Sequence, residues 1–192
     1  MPDEPLSSKI IIITAPSGSG KTTIVKELLA RLQSLRFSVS ATTRAARKNE
    51  TDGVDYHFLS VEDFERKIEE AAFAEYEMVY ENKFYGTLKA KLQEIWMENK
   101  FPLVDIDVQG AFKLKQQYET NALSIFIQAP SLEILAERLK KRGTESADMI
   151  TERLNKAEEE LKLKGQFDAV VVNDDLEKAI TACQSLIEKF LS

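Results

Sequence analysis

A glycine-rich stretch, APSGSGKTT at residues 15–23, carries groups suited to binding phosphate. Its glycines let consecutive backbone N–H groups curl around phosphate oxygens. A helix that begins near Gly20 would direct the positive end of its dipole at the same anion. Lys21 would place a charge at the β- and γ-phosphates, and the hydroxyl of Thr22 can ligate Mg²⁺. The stretch therefore predicts a phosphate-binding loop.

The loop departs from the phosphate-loop template at its first position, where Ala15 replaces glycine. Alanine adds one methyl group and is tolerable where φ is negative. The competing interpretation is a flexible turn between a strand and a helix. We favour the phosphate loop because it follows the apolar run Lys9–Thr14 and precedes a helical pattern that starts at Ile24.

Two acidic residues end a second apolar run, FPLVDID at residues 101–107. A carboxylate at the end of a buried strand can hold the water shell of a magnesium ion. Side chains alternate along a strand, so Asp105 and Asp107 would share one face of a strand over 102–108. A fully buried pair of acids would be costly. We therefore favour a role in the site over simple capping of the strand end.

The elements around these motifs alternate between short apolar runs and helical periods. This alternation is typical of an α/β fold with a mostly parallel sheet. Strands are predicted over 9–14, 36–41, 102–108, 123–128 and 169–172, and helices from near Gly20, over 61–71, around Leu88–Trp96, and over 132–139, 150–161 and 176–191. The aromatic and charged block 38–98 interrupts this rhythm and predicts an inserted subdomain. The charged segment 131–165 is a second candidate for a moving piece.

The composition limits the partners. The chain has 192 residues with a formal net charge of −6, which argues against a nucleic-acid groove because such a groove needs a clustered basic face. One cysteine excludes an intrachain disulfide and a cysteine-rich zinc site. The first residues are acidic and polar, and Ile10–Ile13 is too short to span a membrane. We therefore expect a cytoplasmic protein without nucleic-acid or membrane partners.

Several stretches together resemble the guanylate kinase family. They are SATTRAARKNETDGVDYHFLSVEDF (40–64), FAEYEMVYENKFYGT (73–87), DIDVQGA (105–111), RLKKRGTES (138–146) and VVNDDL (171–176). These motifs occur in the family's order, so the resemblance is more specific than the phosphate loop. It implies transfer of the γ-phosphate of ATP to GMP, with Mg²⁺ as cofactor. It also implies a phosphate-loop NTPase-type three-layer core (1–37, 99–130 and 166–192), a mixed GMP-binding insertion (38–98) and a helical lid (131–165).

The resemblance implies how GMP is held. Arg44 and Arg47 resemble the family's clamp on the GMP phosphate, for which guanidinium forks are well suited. Glu75 resembles the guanine reader, because a carboxylate accepts hydrogen bonds from the adjacent N–H and NH₂ of guanine. Adenine presents an acceptor there, which a carboxylate repels, so the wrong base is rejected strongly. The implied GMP-binding residues are Ser40, Arg44, Arg47, Tyr56, Glu75, Tyr85, Thr87 and Asp107.

The same resemblance assigns the ATP side. Arg142 and Arg153 match lid arginines, and with Lys21 they are the implied catalytic residues, since phosphoryl transfer spreads negative charge over the equatorial oxygens. The implied ATP-binding residues are Ala15, Pro16, Ser17, Gly18, Ser19, Gly20, Lys21, Thr22, Thr23, Arg138 and Asn173. The implied metal ligands are Thr22 and, through water, Asp105. A phosphate is largely ionised at neutral pH, since its second pKa is near ~6, so no general base is expected.

Ala46 and Asn49 replace a proline and a glycine of the family pattern, so the turn between the two arginines is expected to be looser.

Two alternatives to this function remain open. The first alternative is a non-catalytic binding module with the family fold, which the presence of Lys21 opposes. The second is a related kinase with another phosphorylated acceptor, which Glu75 opposes. His57 and Cys183 are predicted to be structural, and a monomer or a homodimer would both fit.

Overall fold

The computed structural model describes residues 8–80, 82–141 and 147–192. In chain order the elements are β1 (Ile10–Thr14), α1 (Lys21–Arg31), β2 (Leu35–Phe37), β3 (Ala41–Thr42), β4 (His57–Phe58), α2 (Val61–Glu69), β5 (Phe73–Tyr80), β6 (Lys83–Leu88), α3 (Lys89–Met97), β7 (Phe101–Asp105), α4 (Val108–Tyr118), β8 (Ala122–Gln128), α5 (Leu132–Lys141), α6 (Ala147–Lys162), β9 (Ala169–Val172) and α7 (Leu176–Leu191). Short 3₁₀ turns at Glu119–Asn121 and Lys164–Gln166 precede β8 and β9.

A parallel sheet in the order β2-β7-β1-β8-β9 forms the centre of the protein. Strand β1 is buried on both faces, which explains its uninterrupted isoleucine run. Ile11 and Ile13 pack with apolar residues of α1 and α7 on one face. Ile10 and Ile12 pack with residues of α3 and α4 on the other face. The expected α/β fold with a parallel sheet between helical layers is confirmed.

A second sheet, in the order β4-β3-β6-β5, lies within residues 41–88 and is mixed. Strand β3 pairs parallel to β4 and antiparallel to β6, and β5 and β6 form an antiparallel hairpin. A small aromatic core supports it: the Phe64 ring of α2 stacks on Phe73 at 4.3 Å and on Phe84 at 5.3 Å between centroids. Ser60 caps α2 by accepting a hydrogen bond from Asp63 N at 3.0 Å, as the capping-box pattern requires.

Two local expectations were wrong and one helix was missed. The strand predicted over 36–41 is two strands in different sheets, because the chain leaves the central sheet after Phe37 and joins the mixed sheet at Ala41. The strand predicted over 102–108 ends at Asp105. Helix α4 was not predicted, although Val108, Ala111 and Leu114 recur on one buried face.

Cys183 is fully buried in the core beside α1, as expected, and burial raises the pKa of its thiol to about 12.

Among the residues that the structure describes, every helix is too short or too polar to cross a membrane.

Candidate active site

The loop between β1 and α1 has the backbone geometry of an anion cradle. Gly18 and Gly20 have φ values of +93° and +92°, in the left-handed region that glycine tolerates. Helix α1 begins directly after Gly20, at Lys21. The N–H groups of its first turn therefore face the loop, where they favour a bound anion.

Asn173 lies beneath this loop and holds it in place. Its Nδ2 donates to the carbonyl oxygen of Ser19 at 2.7 Å, and the Asn173 side chain is buried. A Cβ atom on Gly20 would lie 2.3 Å from that Nδ2, so the position admits glycine for steric reasons as well as for its φ value. Arg138 of α5 donates in turn to the carbonyl oxygen of Asn173 at 3.0 Å. Among the described residues, the buried Nη1 of Arg138 has no hydrogen-bond acceptor.

Lys21 contacts the end of β7, the neighbour of β1. Its ammonium group forms an ion pair with the Asp105 carboxylate and donates to the Ile106 carbonyl oxygen at 3.0 Å. Asp107 has a different role from Asp105. It caps α4, and its Oδ1 accepts from Gln109 N at 2.9 Å and from Gly110 N at 3.1 Å. The two acids therefore do not share one strand face, because β7 ends at Asp105 and Asp107 caps the helix that follows it.

Glu50 organises the two arginines that follow β3. Its two carboxylate oxygens each accept a hydrogen bond of 2.8 Å from the guanidinium of Arg44. It also accepts from the backbone N of Arg47 at 2.8 Å. Hydrogen bonding to Glu50 raises the pKa of Arg44, and the same contacts lower the pKa of Glu50. Arg44 is largely enclosed, whereas the Arg47 side chain is exposed.

Aromatic rings flank Arg44. Its guanidinium carbon lies 5.2 Å from the centroid of the Tyr56 ring and 5.7 Å from that of Phe58, within the range of a cation–π contact. The Tyr56 and Tyr85 rings meet edge to face at 6.0 Å. Burial raises the pKa of Tyr56, so its hydroxyl remains a neutral hydrogen-bond donor at physiological pH.

Glu75 on β5 is a buried acid at the opposite wall. Its side chain is 4% exposed, and its Oε1 accepts a hydrogen bond from the Thr87 hydroxyl at 2.6 Å. Burial, with a smaller contribution from Asp107, raises the pKa of Glu75 to about 7. Ser40 also belongs to this wall, and among the described residues its buried hydroxyl lacks a partner. Burying a polar group without a partner costs stability. Such a group is typical of a site in which a bound ligand supplies the partner.

A cleft of about 580 Å³ joins these groups between the two sheets and α6. Its lining includes many of the residues singled out in the sequence: Ala15, Pro16, Ser17, Gly18, Ser19, Gly20, Lys21, Thr22, Ser40, Arg44, Arg47, Tyr56, Glu75, Tyr85, Asp105, Asp107 and Arg153. Arg153 of α6 donates from Nη1 to the Ser17 hydroxyl at 2.7 Å. Three other predicted residues do not line the cleft but contact its walls. Thr87 donates to Glu75, Asn173 donates to the Ser19 carbonyl oxygen, and Arg138 donates to the Asn173 carbonyl oxygen. Arg142 lies outside the described residues.

Comparison with known proteins identifies the family. A family model described as guanylate kinase matches residues 7–190. The guanylate kinase of Salinibacter ruber is 47% identical over the full length of both chains. That of Chlorobaculum tepidum is 49% identical over 95% of this chain and 93% of its own. The chain belongs to the guanylate kinase family.

A solved structure agrees with this assignment. The crystal structure of guanylate kinase from Anaplasma phagocytophilum is 30% identical, with a TM-score of 0.76 over 97% of this chain and 87% of that one. The guanylate kinase fold therefore extends over nearly the whole chain. This coverage includes both sheets and helix α6, which lines the cleft.

Glu50 and Glu160 are among the residues of the cleft region that sequence reasoning missed. Glu50 ends the guanylate kinase motif TTRAARKNE, so its place in the motif was the available signal. Glu160 of α6 lines the cleft, and burial raises its pKa to about 7. Its sequence context, KAEEELK, is indistinguishable from that of a solvated helix face. Its burial follows from how α6 packs over the cleft, which local sequence does not encode.

Proposed function

We propose that this protein is an ATP:GMP phosphotransferase, a guanylate kinase that forms ADP and GDP. The observation that carries the proposal is the position of Glu75, a buried carboxyl that lines the same cleft as the phosphate loop. A buried acceptor pair matches the N–H and NH₂ donors of guanine and leaves unpaired groups with other bases. Family membership and the near full-length relatives named guanylate kinase support the same activity.

The GMP phosphate would lie between Arg44, Arg47 and the tyrosines. Arg44 is already oriented by the two hydrogen bonds that it donates to Glu50, so it loses little side-chain freedom on binding phosphate. The Tyr56 and Tyr85 hydroxyls would donate to the same group. The buried hydroxyl of Ser40 would form a hydrogen bond with the bound nucleotide. Asp107 and Thr87 would contact the guanine base together with Glu75.

ATP would place its phosphates on the loop Ala15–Thr23, with Lys21 at the β- and γ-phosphates. Lys21 would then exchange part of its contact with Asp105 for phosphate oxygens. Arg138 and Asn173 would lie on the adenine side, where the Nη1 of Arg138, which has no acceptor among the described residues, would donate to the base. Arg153, which already touches the loop at Ser17, would contact the transferring phosphoryl group, and we assign the same role to Arg142.

The oxygen donors of this cleft suit Mg²⁺, which we propose as the metal. Thr22 and Asp105 both line it, and hydroxyl and carboxylate oxygens with water are ligands that Mg²⁺ prefers. Thr22 would bind the ion directly and Asp105 through water. When bound, the ion neutralises charge on the β- and γ-phosphates.

The reaction would then be a direct displacement. An ionised oxygen of the GMP phosphate forms a bond to the γ-phosphorus as the bond from that phosphorus to the β–γ bridging oxygen breaks, and ADP leaves with the electron pair. The acceptor oxygen carries no proton that must be removed, because the second pKa of a phosphate monoester is about 6. Lys21, Arg142 and Arg153 stabilise the charge on the equatorial oxygens, and enclosure by α6 excludes water as a competing acceptor.

We further propose the division into core, insertion and lid along 1–37, 99–130 and 166–192, 38–98, and 131–165. The lid and the insertion would close on the core when both nucleotides bind. The cytoplasm is the proposed compartment.

The direct test measures ADP formation from ATP and Mg²⁺ with GMP, AMP, CMP and UMP offered separately. We expect turnover with GMP and at least about 10³-fold lower kcat/KM with AMP. Turnover with AMP or a pyrimidine nucleotide instead would assign a different acceptor. GMP binding without ADP formation would instead support a non-catalytic module.

A further inference from the structure

Gly110 of α4 lies against the carboxylate of Glu75. A Cβ atom built on Gly110 would be 2.6 Å from Glu75 Oε2 and 3.2 Å from Glu75 Cδ. Carbon and oxygen atoms that are not bonded do not approach so closely, so one of the two groups would have to move. Gly110 is buried, and α4 packs against β5, the strand that carries Glu75.

Helix formation does not explain this glycine. Gly110 is the third residue of α4, after the Asp107 cap, and its φ is not in the left-handed region. Alanine in a helix is favoured over glycine, so this residue costs α4 stability. The absence of a side chain at Gly110 therefore has another reason, which is the close approach of the Glu75 carboxylate.

We infer that Gly110 is a specificity-determining positioning residue, which sets the depth of the Glu75 carboxylate in the guanine pocket. Two contacts define the carboxylate's place: Thr87 holds Oε1 through the 2.6 Å hydrogen bond, and the bare backbone of Gly110 leaves room for Oε2. A methyl group at residue 110 would push Oε2 out of this place, whereas Asp107 Oδ2, 3.3 Å from the same Cβ position, would have to move much less. This inference rests on the proposed function, since it assigns Glu75 to guanine.

The test is Gly110→Ala, with Gly165→Ala as the matched control. A Cβ on Gly165 would meet no described atom within 4 Å, and the residue lies in the 3₁₀ turn before β9. The wild type is first assayed with GMP, because failure at that step contradicts the proposed function and not the role of Gly110. Dissociation constants for GMP and ATP and the thermal midpoint are then measured for each variant.

We expect Gly110→Ala to weaken GMP binding by about tenfold or more, because a displaced carboxylate loses charge-assisted hydrogen bonds to the base. ATP binding should change less than about twofold and the thermal midpoint should not fall, since alanine favours the helix. Gly165→Ala should match the wild type in nucleotide binding. Unchanged GMP binding in Gly110→Ala would overturn the inference, as would an equal loss for GMP and ATP.

A double-mutant cycle separates positioning from general damage. In a Glu75→Ala background the methyl group at residue 110 no longer meets the Glu75 carboxylate, and its closest remaining neighbour is Asp107 Oδ2 at 3.3 Å. Gly110→Ala should then change the dissociation constant for GMP by less than about twofold. A loss as large as in the wild-type background would show that residue 110 acts independently of Glu75 and would overturn the inference.

Discussion

The guanidinium of Arg153 donates a hydrogen bond to the hydroxyl of Ser17, with 2.7 Å between Nη1 and Oγ. These residues are 136 positions apart, on α6 and on the phosphate loop. The contact brings a cation from the proposed lid to the place where the proposed ATP phosphates lie. Arg153 thus contacts the phosphate loop in this conformation.

Arg153→Ala should lower kcat by about 10² to 10³-fold, because an arginine at the transferring phosphoryl group acts mainly on the transition state. The KM for GMP should change little, since the acceptor phosphate is assigned to Arg44 and Arg47. Steady-state kinetics with GMP varied at saturating ATP measure both. Lys140→Ala, an exposed lysine on α5, is the control and should retain wild-type kcat. A raised KM for GMP with normal kcat in Arg153→Ala would contradict this role.

Glu50→Gln should raise the KM for GMP by about tenfold while leaving the KM for ATP unchanged. Glutamine keeps the size of the side chain but offers one acceptor oxygen instead of two, so the paired 2.8 Å hydrogen bonds to Arg44 are lost. Arg44 must then be ordered when phosphate binds, which weakens binding. Initial rates at varied GMP measure the effect.

Glu70→Gln provides the matched control for Glu50. This acid is exposed within the same proposed insertion, 38–98, with 3.9 Å between its Oε1 and Arg66 Nε. An exposed ion pair contributes little, so the kinetics should equal those of the wild type. Equal KM values for Glu50→Gln and the wild type would show that Arg44 is positioned without Glu50.

GMP recognition should depend on pH through Glu75. Its pKa of about 7 means that the carboxyl is largely protonated below pH 7 and ionised above it. The ionised form accepts both guanine donors, so the KM for GMP should rise as pH falls from 8 to 6, approaching tenfold per pH unit at the acid end. The ratio of KM for GMP between pH 6 and pH 8 measures the effect.

Two variants identify the titrating group. Glu75→Gln should bind GMP weakly and lose most of the pH dependence, leaving the part that belongs to the nucleotide phosphate. Glu160→Gln is the control, because Glu160 also lines the cleft with a pKa of about 7. It should keep the wild-type pH profile. A flat profile in Glu160→Gln with a normal one in Glu75→Gln would assign the pH dependence to α6 instead.

The sequence predicted the central sheet better than the path of the chain between sheets. The run Ile10–Thr14 is apolar on both faces, and only a central strand buries both, so local composition was sufficient. Residues 36–41 alternate like one strand, yet they divide between two sheets. Alternation records which side chains are buried and not which strand they pair with, so the division could not be foreseen.

Sequence motifs singled out residues that line the cleft, whereas residues whose place depends on packing between elements were missed. Lys21 and Arg44 lie in recognisable motifs, and the structure brings both to one cleft. The function of Gly110 instead depends on the 2.6 Å approach to Glu75 from another element. Asp107 illustrates a third case: its helix-capping role required α4, whose pattern was short and was overlooked.

Asn173→Ala should destabilise the phosphate loop and the fold together. The variant removes the 2.7 Å hydrogen bond to the Ser19 carbonyl oxygen, which is otherwise buried beneath the loop. An unsatisfied buried acceptor costs about 1–3 kcal/mol, so the free energy of unfolding should fall by about that amount. The KM for ATP should rise several-fold as the loop loosens, while the KM for GMP stays unchanged. Urea unfolding and steady-state kinetics measure these effects.

Asn121→Ala is the control, since its amide donates to Ser8 at the surface, and its unfolding free energy should stay within about 0.5 kcal/mol of the wild type. Equal stability of Asn173→Ala and the wild type would mean that the loop is held by its own backbone turns and not by β9.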